Sequence, residues 1–392
     1  NLLTESFKLR VIADVPVGIF LSGGIDSSTV CALLSKEGIN LRTFTIGFYE
    51  KDYNEASYAK QIAEYLGTEH TEMYCTPKEA LSIIPMLPQL YDEPFGDSSA
   101  IPTFLVSQLA KSEVKVALSA DGGDEQFCGY TRYLIIKNLA AKLSNFPAIN
   151  LLSFLLDLIS PEFANKLYEI FKFALPKYTS FKDKFVKFRN VLKGRDLLTQ
   201  YDLALRYFLD EELTELISPC SQTPSLASKL PVGLTNYLDD FSLMMLIDLK
   251  TYLPEDLLTK VDRATMGTSL EGRDPFLDHK ILEWTSQLPS EYKYKDGKSK
   301  HLIRKILYRY IPRNLLERPK QGFGAPIDEW FKKDLKDFYI EYLNEKKVKK
   351  EGLFNPKIVD TLLQNYLGGI STAYNKLWLL FVFEMWRERW RV

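Results

Sequence analysis

The chain has 392 residues, enough for one large domain or two ordinary ones, and its 46% hydrophobic and 26% charged content describes a globular protein with ample core. Lys and Arg total 50 against 51 Asp and Glu, a net charge of -1, so no global field recruits nucleic acid or acidic membranes. Four cysteines without a CxxC pair and three histidines argue against zinc and for a reduced, cytoplasmic setting, and the most apolar stretches, around 151–159 and 377–386, carry charges and are too short to span a bilayer.

The first third alternates strand and helix. Pro16–Leu21 reads as a strand and Ser27–Lys36 as a helix; Arg42–Phe48 reads as a second strand and Asn54–Leu66 as a second helix. A short strand over Thr68–Tyr74 precedes helices over Lys78–Tyr91 and Ile101–Lys111, and the apolar run Val114–Ser119 is a further strand. Such alternation predicts an α/β fold with a parallel, doubly wound sheet. From about Tyr133 strand patterns disappear and helical periodicity runs to Val392, so an α/β nucleotide-binding part over 1–132 and a mostly helical part over 133–392 are expected.

Two Gly-rich turns follow strand ends, Ser22–Asp26 and Ser119–Asp124. Ligands of doubly wound sheets bind at such ends, and adjacent strands would put both turns in one crevice. The stretch SGGIDSS (Ser22–Ser28) lacks the lysine of a Walker A loop and the spacing of a dinucleotide fingerprint. It offers glycine N–H groups, hydroxyls of Ser22, Ser27 and Ser28, and a helix N-terminus, which together suit phosphate. Asp26 in that cradle would repel phosphate unless a cation intervenes. Mg²⁺ binds phosphates through one or two carboxylates, and Asp124 could supply the second.

SGGIDSS resembles the PP-loop of N-type ATP pyrophosphatases, and SADGGDEQFCGYTRY (Ser119–Tyr133) resembles the second signature of the asparagine synthetase family. Segments Leu253–His279, Gly297–Lys305, Arg318–Trp330 and Leu377–Trp386 are similar to later motifs of that family in the same order. The resemblance, to the synthetase domain of the glutamine-hydrolysing type, implies a PP-loop fold in which residues 253–330 return to the site. It also implies a ligase that uses ATP and Mg²⁺ to convert a carboxylate, aspartate by default, into an acyl-adenylate that ammonia attacks. Ser22, Gly23, Gly24, Asp26, Ser27 and Ser28 would hold the pyrophosphate, with Asp26 and Asp124 as metal ligands. Leu21 and Ile46 would flank the adenosine, and Ser119 and Ala120 would approach the nucleotide with their backbone. Asp121 takes the acidic position tied to acyl-adenylate formation, and Lys300 that of a lysine balancing phosphate charge. Glu271, Arg273 and Glu125 would lie at the substrate, Arg273 by bidentate carboxylate recognition.

Other readings stay open. Lys300 and Arg304 could share a solvated helix face, Glu271 and Arg273 could be a surface pair, and Asp278-His279 could close a turn. Ala120, Gln126 and Cys128 depart from the family pattern, and a left-handed backbone at Ala120 would be strained. Relatives amidate sugar uronic acids or close β-lactam rings; a degenerate ATP-binding module or a tRNA-modifying PP-loop enzyme are further alternatives. Residues 166–195 hold nine Lys/Arg and two acids among phenylalanines, but Phe181, Phe185 and Phe188 fall on one helix face and are expected to pack inward, so neither nucleic acid nor membrane is expected as a partner. A homodimer is left open. The chain starts at Asn1, and ammonia is expected from a glutaminase domain upstream of it.

Overall fold

The computed structural model describes residues 1–50, 52–144, 149–171, 181–217, 219, 223–231, 233–317, 326–331, 333, 336–367 and 374–391; Phe173, Cys220 and most of the Arg318–Trp330 motif lie outside them. Apolar, β-branched and aromatic runs bounded by turn residues form β1 (Val17–Phe20), β2 (Arg42–Phe48) and β4 (Val116–Leu118), while the more polar β3 (Glu69–Cys75) pairs along the whole of β2. A three-residue β5 (Glu271–Arg273) completes a sheet of order β3-β2-β1-β4-β5, parallel throughout. The expected doubly wound α/β sheet is present, and its order reverses between β1 and β4. β5 corrects the expectation that strands end near Tyr133. Glu-Gly-Arg has no strand pattern of its own and is extended because it pairs with β4, Val116 opposite Glu271 and Leu118 opposite Arg273.

Helix boundaries shift for identifiable reasons. The helix expected from Ser27 begins two residues earlier, as α1 (Ile25–Lys36), because Gly24 takes an extended cap conformation at φ -77° and ψ 167°. Asp26 therefore sits in its first turn. α2 (Ala56–Leu66) stops at Gly67, which is left-handed at φ 69°. The single helix expected over Lys78–Tyr91 is broken into Pro77–Ile83, a 3₁₀ turn at Ile84–Met86 and Leu87–Tyr91, where Pro85 and Pro88 cannot donate. α3 (Ala100–Lys111) leads into β4, and one turn, α4 (Gly123–Gln126), follows it.

The chain divides into two compact units, residues 1–130, 248–335 and 385–392 in the first, and 131–247 and 336–384 in the second. In the first, Ile19, Leu21, Val30, Leu34 and Leu118 pack with Phe127, Phe276, Ile303 and Leu307 in one core. Each such side chain contributes about 1.5–3 kcal/mol by leaving water. That core anchors the strand ends from which both Gly-rich turns project.

The second unit is helical, with α5 (Ile149–Asp157), α6 (Pro161–Phe171) and α7 (Phe181–Val191) among its elements. Phe181 stacks on Tyr168 at 4.2 Å, and Phe185 lies 6.3 Å from Phe181. Those two phenylalanines pack toward α6 as expected, whereas Phe188 is 40% exposed. Tyr339 meets Tyr366 and Phe381 edge to face elsewhere in this unit. Among the described residues no helix is long and apolar enough to cross a membrane.

Candidate active site

β1 and β4 are neighbours, so the turns that leave their carboxyl ends share one crevice at the reversal of strand order. The first turn is tied internally: the Ser22 N–H donates to Ser27 Oγ at 3.2 Å, the two hydroxyls lie 3.0 Å apart, and the Gly24 N–H donates to Ser22 Oγ at 3.3 Å. Gly23 is left-handed at φ 71°, and a Cβ there would come within 2.8 Å of the Ala59 backbone nitrogen, so glycine meets two demands at once. Ser28 is fully buried in the first turn of α1, and its hydroxyl has no hydrogen-bond partner. A buried, unpaired hydroxyl at a helix N-terminus fits an anionic oxygen.

Two helices from later in the chain, α8 (Thr259–Gly267) and α9 (His301–Leu307), bring buried lysines to this crevice. A π-helical turn at Leu253–Leu258 leads into α8. Lys300 caps α9 in a left-handed conformation at φ 54°, its N–H donating to the Phe127 carbonyl at 3.1 Å. Its side chain is 6% exposed; the ammonium bonds Asp26 and lies 2.7 Å from Asp124 Oδ1. Burial works against that charge, but Asp124 and Asp26 outweigh it and hold the ammonium pKa above its ordinary value. The solvated helix face considered for Lys300 is thereby excluded. The three groups meet only because two glycines make room. A Cβ on Gly123 would lie 2.6 Å from Asp26 Cγ, and one on Gly129 would lie 1.8 Å from Asp124 Oδ1 and 2.2 Å from Lys300 Cε.

Asp26 and Asp124 thus converge on one cation, and both offer hard oxygen. That donor set fits Mg²⁺ held by two carboxylates and completed by phosphate and water. Among the described residues no group of three or more His, Cys, Asp or Glu side chains is arranged to hold a metal by itself.

A second acidic group lies beside the first. The Ser119 hydroxyl donates to Asp121 Oδ2, and burial pushes the Asp121 carboxyl up from its ordinary value. Asp274, just past β5, is pushed up to about 8 by burial and then by the charges of Asp121 and Asp262, against a hydrogen bond with Ser119. Its Oδ1 is enclosed without a partner. Glu125 is 1% exposed; burial pushes it up to about 7 although the Tyr130 hydroxyl donates to Oε1 at 2.6 Å, and Oε2 has no partner. Lys260 of α8 faces this group but is already paired, 2.8 Å from both Asp97 Oδ2 and Ser99 Oγ.

Not every expected residue is free for its expected part. Arg273 donates Nε to Glu271 at 2.7 Å and Nη1 to the carbonyls of Arg10 and Ile12, both at 2.9 Å. Its Nε and Nη1 are thus engaged beside the end of helix Leu2–Arg10, and Glu271, 58% exposed at its side chain, is its ion partner. Leu21 and Ile46 are 1% and 3% exposed. The Leu21 side chain belongs to the core, its N–H donates to Phe44 and its carbonyl accepts from Thr45, so it does not line the crevice. Ser119 spends its N–H on the Arg273 carbonyl at 2.9 Å. Ala120 is absent from the left-handed residues, so the strain expected there does not arise; Cys128 carries it instead, at φ 55°. Asp278 caps the helix His279–Ser286 rather than closing a turn, accepting from the Lys280 N–H at 2.9 Å, and it pairs with Arg10 at 3.2 Å. Sequence reasoning missed Asp274, Lys260 and Tyr130. The one available signal was their position inside segments already singled out.

The Asparagine synthase family profile matches residues 1–388. The chain is similar to asparagine synthetase [glutamine-hydrolyzing] 1 of Bacillus subtilis, 30% identical over 386 residues, covering 98% of this chain and 58% of that protein. A putative asparagine synthetase [glutamine-hydrolyzing] of Mycobacterium tuberculosis is 30% identical over 396 residues, covering 98% of this chain and 56% of that one. A putative asparagine synthetase [glutamine-hydrolyzing] 2 of Methanocaldococcus jannaschii is 45% identical over 136 residues, 34% of this chain and 26% of that protein. The chain therefore spans little more than half the length of the first two relatives. With a family match along almost its whole length and a parallel sheet whose two Gly-rich turns meet at one crevice, the chain belongs to the asparagine synthase family.

Proposed function

We propose that the chain joins a carboxylate to ammonia at the expense of ATP, through an acyl-adenylate, releasing AMP and pyrophosphate, with aspartate as the carboxylate. The observation that carries this reading is the buried Lys300 ammonium held between Asp26 and Asp124, beside the unpartnered Ser28 hydroxyl. Ser22, Gly23, Gly24, Ser27 and Ser28 would hold the β- and γ-phosphates against the N-terminus of α1. Asp26 and Asp124 would hold Mg²⁺, which when bound neutralises the leaving pyrophosphate. With the two carboxylates so engaged, Lys300 would turn its charge to the phosphates. Catalysis at phosphorus then rests on positioning and charge stabilisation. Asp121, its pKa raised, would face the acyl carbon with Glu125 at the substrate, where either group in its carboxylate form can take the proton that ammonia sheds on attack. The relatives' description as glutamine-hydrolyzing brings glutamine into the proposal as the ultimate nitrogen donor, through a domain outside these residues.

A second reading is favoured by Arg273. Aspartate carries a second carboxylate that wants a cation, and the guanidinium expected there is bonded to Glu271, Arg10 and Ile12. A uronic acid of a sugar makes no such demand. ATP–pyrophosphate exchange by the 392-residue chain, with Mg²⁺ and a panel of aspartate, other amino acids and sugar uronic acids, tests both. Exchange with aspartate supports the first reading, exchange with uronic acids alone the second, and none with any carboxylate overturns adenylation.

A further inference from the structure

At the substrate end of the crevice, carboxyls outnumber the cations that could meet them. Pairing of β4 with β5 sets Leu118 opposite Arg273, and the Ser119 N–H donates to the Arg273 carbonyl at 2.9 Å. Asp274, the next residue, therefore leaves the carboxyl end of β5 level with Ser119 at the carboxyl end of β4, where ligands of such sheets bind. The Ser119 side chain bonds both Asp121 and Asp274, and one hydroxyl neutralises neither. Asp274 Oδ1 is enclosed without a hydrogen-bond partner, and burial, then the charges of Asp121 and Asp262, hold the carboxyl above its ordinary value. Glu125, 1% exposed and under the charges of Asp124 and Asp121, has Oε2 in the same condition. A buried carboxyl oxygen left unpaired costs free energy that a bound donor recovers.

The neighbouring cations are spent elsewhere. Lys260 lies 2.8 Å from both Asp97 Oδ2 and Ser99 Oγ, and with Asp97 it forms a neutral pair. Arg273 gives Nε to Glu271 and Nη1 to the carbonyls of Arg10 and Ile12, and Lys300 stands between Asp26 and Asp124. Among the described residues no three His, Cys, Asp or Glu side chains are arranged to hold a metal, which makes a metal ion a poor occupant. A small positive donor with several N–H bonds suits Asp274 best, and a primary ammonium is one. On a substrate whose carboxylate reacts beside Asp121, such a group would arrive with the substrate itself.

We propose that Asp274 binds a primary ammonium group carried by the substrate, so that the carboxylate amidated here belongs to an amine-bearing acid. The inference rests on the amidation reading and narrows it. An amino acid or an amino-sugar acid pairs Asp274, whereas a plain uronic acid leaves it as it stands.

The test is ATP–pyrophosphate exchange by the full chain, run without ammonia, on matched acids with and without the amine: aspartate against succinate, and glucosaminuronic acid against glucuronic acid. In whichever pair is active, the aminated member should have a kcat/KM roughly 10- to 100-fold higher. Asp274→Asn should erase most of that preference while the KM for ATP is unchanged. Urea melts check the fold, since this variant should be at least as stable as the wild type. Equal use of both members, or a preference that Asp274→Asn leaves intact, overturns the inference while adenylation stands. So does a variant altered only in its KM for ammonium during amide synthesis, which would give the carboxyl to the nucleophile. No exchange with any carboxylate overturns adenylation and this inference with it.

Discussion

Replacing Lys300 by methionine keeps the aliphatic stem and deletes the ammonium from between two carboxylates. At 2.7 Å from Asp124 Oδ1, one contact amounts to about 6 kcal/mol at an effective dielectric near 20, and Asp26 supplies a second. Desolvation of a side chain only 6% exposed cancels much of that. What remains is the loss seen when one partner of a buried pair is removed, about 3–5 kcal/mol. Calorimetric melting of Lys300→Met should therefore show a large drop in Tm. Mg²⁺ should restore part of it, because a divalent cation can fill the place the ammonium left. Turnover should fall by roughly 10²–10³ while ATP affinity changes much less, since the charge is needed most as the phosphates separate. A variant that melts with the wild type and releases pyrophosphate at a near-wild-type rate would refute both the ion-pair energetics and the catalytic role.

Asp26→Asn and Asp124→Asn should each abolish adenylation with the fold retained, read as AMP formation across a Mg²⁺ titration; an unchanged Mg²⁺ dependence would contradict the ligand assignment. Asp274, pushed up to about 8, holds in the folded chain a proton that the unfolded chain loses near pH 4. Its contribution to stability is complete below about pH 4 and is lost as pH rises to about 8, so Asp274→Asn should match the wild type in urea melts at acidic pH and exceed it increasingly toward pH 8. Parallel curves for the two proteins would show that Asp274 is ionised throughout. Gly129→Ala places a methyl group 1.8 Å from Asp124 Oδ1, which should cost about 1–3 kcal/mol in denaturant melts and lower turnover by parting Asp124 from Lys300. Wild-type behaviour would mean that the turn yields freely.

The sheet and both Gly-rich turns could be read from the residues because their signals are local: an apolar run, then glycines, then a helix start. Lys300 was found through an ordered motif rather than through chemistry, since nothing in GKSKHLIRK distinguishes a buried lysine from a solvated one. Asp274 and Lys260 were missed for the same reason: their importance lies in what buries them, and burial is set by elements far away in the chain. Arg273 shows the converse. Its type and position suited carboxylate recognition, yet the carbonyls at the end of helix Leu2–Arg10, about 260 residues earlier, captured it. β5 has no pattern of its own and exists through its partner. Pro85 and Pro88, by contrast, were visible breakers of the helix drawn through them.

The first unit is assembled from three separate stretches of chain, and this bears on how the protein is made. When the first 130 residues have left the ribosome, four of the five strands can pair, but β4 still presents an open edge and Asp26 and Asp124 have no counter-ion. β5 and Lys300 come from residues 248–335, and the last stretch arrives with Trp386 and Trp390, whose indoles donate to the carbonyls of Asp92 at 2.6 Å and Pro88 at 3.1 Å. At about 5–20 residues per second the next 143 residues, through Arg273 (273 less 130), take roughly 7–30 s, during which an unfinished sheet stands exposed. The nascent sheet is thus a natural client for a chaperone, and a truncation that removes Trp386 and Trp390 would disturb the first unit rather than the second.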